Sequence, residues 1–149
     1  MSEEDRTEVS RMLGAMKSDV QVDLYTKKSA LVVPGEEQQQ EAAGLTEQIL
    51  SEVAALNAHV KLAIHDATVD AAPARAAGVE AFVPAIVFRA PAAKGTLRYF
   101  GLPAGYEFKT LVDALVSLGT DAHGLADESV AALAGVSEPV NLKVYVTPG

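Results

Sequence analysis

His65, Asp66 and Asp70 come nearest, in type and spacing, to a reactive centre: such a set can hold a metal or exchange a proton. The histidines number three, His59, His65 and His123, in separated segments with no His-x-x-x-His and no His-Glu pair. That spacing predicts a strand end followed by a capping Asp rather than a metal site. A serine nucleophile lacks its setting as well, because no Gly-x-Ser-x-Gly elbow occurs. There is no Gly-x-x-x-x-Gly-Lys phosphate loop, and Gly101 and Gly105, flanking Pro103, read as turn residues. Cysteine is absent, which removes disulfides, thiolate metal sites and every thiol mechanism carried by this chain alone. No catalytic residue, cofactor site or metal site is expected.

The composition narrows the partners. A net charge of −8 and a pI near 4.8 argue against nucleic acid, whose phosphates require clustered Lys and Arg; Lys27-Lys28 is too small a cluster. No apolar run approaches the roughly 18 residues that span a membrane. The first residues, Met-Ser-Glu-Glu-Asp-Arg, are acidic and lack the basic-then-apolar layout of a secretory signal, so a cytoplasmic protein is expected. At 149 residues the chain suits a single core, and folding at this size hides about 70% of the unfolded surface.

Around these residues the elements follow from periodicity. Ser2 can cap a helix with Glu3, Glu4 and Asp5 at its positive end, and Val9, Met12, Leu13 and Met16 supply an apolar face. Val20 to Tyr25 alternates apolar and polar residues as a strand does. Lys27-Lys28-Ser29 reads as a turn, and Ala30 to Val33 as a brief apolar run stopped by Pro34-Gly35. A long helix is predicted from Glu36 to Asn57, with Ala42, Leu45, Ile49, Val53 and Leu56 as its buried stripe and Glu36 to Glu41 as a solvated first turn. Val60 to His65 alternates again, and Asp70 to Ala77 is a short helix stopped by Gly78. Further on come a helix from Tyr106 to Leu118, stopped by Gly119, a short helix from Asp127 to Val136, and an alternating strand from Val140 to Thr147.

The most distinctive stretch is Phe82 to Phe108. Phe-Val-Pro-Ala-Ile-Val-Phe-Arg and Thr-Leu-Arg-Tyr-Phe, joined by a turn around Pro91 to Gly95, read as a β-hairpin. Gly101-Leu-Pro-Ala-Gly105 then breaks the second strand and launches a helix. Val83-Pro84-Ala85 together with Arg98 to Phe108 resembles the protein disulfide oxidoreductases, the glutaredoxin-like proteins with tandem thioredoxin folds. Gly101 to Phe108 is also similar to a motif in the N-terminal region of the flavoprotein component of alkyl hydroperoxide reductase, where the first of two thioredoxin modules lacks its cysteine pair. The element order β-α-β-α-β-β-α matches the same architecture. It predicts an α/β, thioredoxin-like fold: a central four-stranded mixed sheet flanked by helices, with an extra C-terminal helix and strand.

The resemblance implies where that family's chemistry would lie. Its Cys-x-x-Cys opens the helix after the first strand, which places the vestigial positions at Gln40 and Ala43. Val83-Pro84 matches the family's cis proline, so Phe82, Val83 and Pro84 form a candidate peptide groove that can outlast the loss of cysteines. Residues 127–147 echo the helix-then-strand opening of residues 2–25, as if residues 1–126 were one cysteine-free domain and 127–149 the start of a second, truncated one. The expectation is a redox-inactive scaffold or docking module for a protein partner or a redox-active thioredoxin-like module, with self-association through residues 140–147 as a further possibility. The alternative is a piece of a tandem thiol–disulfide oxidoreductase whose Cys-x-x-Cys lies beyond Gly149.

Overall fold

The computed structural model of the chain describes residues 1–27, 37–81, 83–120 and 122–146. Helix α1 (Glu3–Leu13) opens with a capping box: Ser2 Oγ accepts from the Asp5 amide at 3.1 Å, and the Asp5 carboxylate accepts from the Ser2 amide at 3.2 Å. Then come β1 (Val20–Thr26), α2 (Glu37–Leu56), β2 (Val60–Asp66), α3 (Ala71–Ala77), β3 (Ala85–Arg89), β4 (Leu97–Phe100), α4 (Tyr106–Thr120) and α5 (Asp127–Leu133). The sheet order is β2-β1-β3-β4, with β1 and β2 parallel and the β1/β3 and β3/β4 pairs antiparallel.

Alternation along the strands gives the sheet two unlike faces. Val20, Val22 and Leu24 of β1, with Ile86 and Phe88 of β3, point to a large core shared with α1, α2 and α4. Tyr25, Ala85 and Val87 point to the other face, covered by Ala74, Ala77 and Val79 in and after α3. Helix α3 is short and small-faced, and it is held there by β4: Arg98 Nε donates to the Ala77 carbonyl at 2.6 Å, next to Gly78 in the left-handed conformation at φ 71°. The expected stop at Gly78 is thus formed.

Four details differ from the sequence expectation. The buried stripe of α2 is Ala43, Thr46, Leu50 and Val53, whereas Leu45 is 42% exposed. The helix is rotated so that Thr46 lies inside, its hydroxyl satisfied by the Ala42 carbonyl at 2.7 Å. Gly119 does not end α4 but lies buried within it. A Cβ there would fall 2.7 Å from Met16 Cε and 2.8 Å from Met16 Cγ, so the missing side chain makes room for Met16. The Gly119 carbonyl also accepts from the Lys17 amide at 2.8 Å and the Ser18 amide at 3.1 Å. Gly119→Val is therefore expected to cost about 1–3 kcal/mol by overpacking, part of it recovered by Met16→Ala in the same chain. Urea unfolding of both variants checks this, and an uncompensated double variant would refute the contact.

The third difference is α5, which ends at Leu133 rather than Val136 and buries none of its residues. The fourth is the C-terminal strand, which does not form over residues 140–146. Val140, Leu142, Val144, Tyr145 and Val146 are exposed, from 59% to 87%. Alternation supplies a strand's side chains but not its partner, and an unpaired strand gains no ladder hydrogen bonds. The expected turn and apolar run at residues 28–36, Phe82 and Thr147 lie outside the described residues.

Candidate functional site

The hairpin places Val83 and Pro84 at the entrance to β3, where the sheet ends. Ala85 is the first residue of β3 and pairs with Tyr25 of β1 and Phe100 of β4. The Val83-Pro84 bond is cis. The carbonyl of Pro84 accepts from the Gly101 amide at 2.9 Å, and Gly101 takes a φ of 112°, which a side chain would disfavour. The glycines around Pro103 are therefore turn residues, as their spacing predicts, with Gly105 at φ 58° launching α4.

Val83 itself is buried, and its carbonyl has a partner from outside the sheet: Gln39 Nε2 donates to it at 2.7 Å. Gln39 lies in the first turn of α2, on the solvated run Glu37 to Glu41. Nothing in the sequence marks it, since it sits in a row of three glutamines and meets its partner 44 residues away. Gln40 and Ala43, the positions matched to the family's cysteines, both lie in α2 beyond its opening residue. Gln40 is half-buried and Ala43 is buried on the core side. Of the proposed groove residues, Val83 and Pro84 are adjacent to this helix through Gln39; Phe82 is outside the described residues.

The His65 cluster is separate, on the α3 face of the sheet. His65 Nε2 lies 3.2 Å from Asp23 Oδ1, and His65 Nδ1 lies 3.7 Å from Asp70 Oδ2. The imidazole stacks on its cross-strand neighbour Tyr25 with ring centroids 4.8 Å apart. Asp23 is buried and also takes an ion pair from Arg89 and a 3.0 Å hydrogen bond from Gln21 Nε2. Asp66 is occupied elsewhere, accepting from the Thr68 amide and hydroxyl at 2.9 and 2.6 Å. Among the described residues no group of three or more His, Cys, Asp or Glu is arranged to hold a metal. His65 and Asp70 thus join a strand end to the start of α3, although Asp70 makes no side-chain capping bond. Sequence spacing missed Asp23 and Arg89, which only strand pairing brings together.

Comparison with solved structures identifies the architecture. The chain matches a protein disulfide oxidoreductase from Aeropyrum pernix with a TM-score of 0.73 and 26% identity, over 90% of this chain and 54% of that one. The fold is thioredoxin-like. The alkylhydroperoxide reductase AhpF from Enterococcus faecalis matches with a TM-score of 0.69 and 21% identity, over 86% of this chain and 57% of the other. The N-terminal domain of AhpF, solved alone, gives the same values. The chain spans little more than half the length of these thioredoxin-like neighbours. No protein-family model and no curated protein matches it. Both resemblances inferred from Val83 to Phe108 are thereby found in the structure. In addition, no helix among the described residues is long and apolar enough to cross a membrane.

Proposed function

We propose that this chain is a redox-inactive thioredoxin-fold module that serves as scaffold or protein-docking domain in a thiol–disulfide oxidoreductase-like system. One observation carries the reading: a thioredoxin-like fold related to oxidoreductases, built from a sequence with no cysteine. The thiolate is the nucleophile of thiol–disulfide exchange, and neither Gln40 nor Ala43 can form a mixed disulfide. What the fold retains is the sheet end at Val83-Pro84, where a backbone carbonyl faces out of the sheet toward α2. The partner is a redox-active thioredoxin-like module or a polypeptide held at Val83 and Pro84.

Fusing the chain to a Cys-x-x-Cys-bearing thioredoxin module tests this. The fused module is expected to gain stability or activity toward a disulfide-bonded protein, while the chain alone reduces no disulfide. Identical behaviour of the fused and isolated modules would refute the scaffold role.

A second reading is favoured by the length of the neighbours, of which this chain covers 54–57%. On it, the chain is part of a tandem oxidoreductase whose Cys-x-x-Cys lies beyond Gly149, and the intact mass in the native source distinguishes the two. The exposed segment at residues 140–146 also fits self-association by strand pairing. Light scattering would then show a smaller assembly after removal of residues 138–149, and an unchanged mass would refute it.

A further inference from the structure

We infer that Gln39 is an internal competitor for the peptide groove, occupying the backbone carbonyl that an extended partner would use; this rests on the groove reading above. Val83 precedes the first paired residue of β3, so its carbonyl lies beyond the ladder between β1 and β3. The next carbonyl, of Pro84, is already taken by the Gly101 amide at 2.9 Å. β3 is paired on both sides, so an extended segment reaches it only by crossing this end of the sheet, beyond the last β1/β3 pair, where the Val83 carbonyl is the acceptor for one of its N–H groups. Gln39 Nε2 now stands at that place, 2.7 Å from the oxygen.

The contact is suited to exchange. Gln39 is exposed, so its amide can turn to water without leaving an unpaired buried group, while the Val83 carbonyl needs a donor when water is excluded. Backbone-mediated pairing does not depend on side-chain identity, so the partner is an extended polypeptide segment rather than a small molecule. Gln39 also ties the first turn of α2 to the entrance of β3, so its release would free both elements at once.

The test uses reduced, carboxymethylated α-lactalbumin, an unfolded polypeptide without free thiols, as the probe. Fluorescence anisotropy gives its affinity for the wild-type chain, Gln39→Ala and Gln39→Glu. Removing a competing neutral hydrogen bond, about 0.5–1.5 kcal/mol, corresponds to roughly two- to twelve-fold tighter binding. Gln39→Glu, which cannot donate at neutral pH, is expected to behave like Gln39→Ala. The carbonyl carbon resonance of Val83 should shift in Gln39→Ala and shift again on addition of the probe. Equal affinity of all three proteins, with the probe still perturbing Val83, overturns the competitor role and leaves the groove intact. No binding by any of them, or binding that does not perturb Val83, overturns the groove reading and this inference together.

Discussion

Replacing Phe88 by Ala is expected to remove about 3–5 kcal/mol of stability, a large part of what a domain of this size has. Phe88 is 2% exposed and sits on β3, an interior strand, where it pairs with Val22 on one side and Leu97 on the other. It belongs to the core beneath α1, α2 and α4, so the cavity would open among helices that cannot all move into it. Urea denaturation followed by circular dichroism measures the loss. A value below about 1 kcal/mol would mean that the strand and helices do not close on this residue, contrary to the packing. Phe88 lies on the strand that begins just after Val83-Pro84, so the same variant loosens the support of the candidate groove.

The second large effect is expected at Arg89. Arg89→Ala leaves the Asp23 carboxylate, 7% exposed, without its guanidinium; among the described residues, His65 and Gln21 are its remaining side-chain partners. Removing one partner of a buried pair costs about 3–5 kcal/mol. The Arg89 side chain is 45% exposed, so water screens part of the pairing, and the lower end, about 3 kcal/mol, is expected. Asp23→Ala should cost less, because Arg89 and His65 can both turn to water. The double variant should then resemble Asp23→Ala alone, since the unpaired carboxylate is the expensive species. Strict additivity of the two single changes would refute that account.

The N-terminal cap gives a smaller, pH-linked effect. The Ser2 hydroxyl and amide bonds hold the Asp5 carboxyl below its ordinary value of 3.8. A carboxyl with a depressed folded pKa stabilises fully above its unfolded value, and that contribution fades as the pH falls through the folded one. Ser2→Ala is expected to weaken α1 by about 1 kcal/mol near neutral pH, and to narrow its stability difference from wild type below about pH 3.8. A difference independent of pH would refute the capping box.

Much of this protein was legible in one dimension. Local periods located β1, β2, the hairpin, α1, α3 and α4, because a strand or an amphipathic helix writes its buried face into neighbouring residues. The motif from Val83 to Phe108 carried the fold, since its prolines and glycines fix turns that few other sequences allow. The lack of cysteine, which removes thiol chemistry from this chain, is a property of composition and needs no coordinates. Tertiary structure decided the rest, for one physical reason: the deciding contacts join residues far apart in sequence. Met16 against Gly119 turned an expected helix stop into a packing site. Strand register gathered Asp23, His65 and Arg89. Among the described residues no strand pairs with residues 140–146 despite their alternation, and a contact across 44 residues set Gln39 on the carbonyl of Val83.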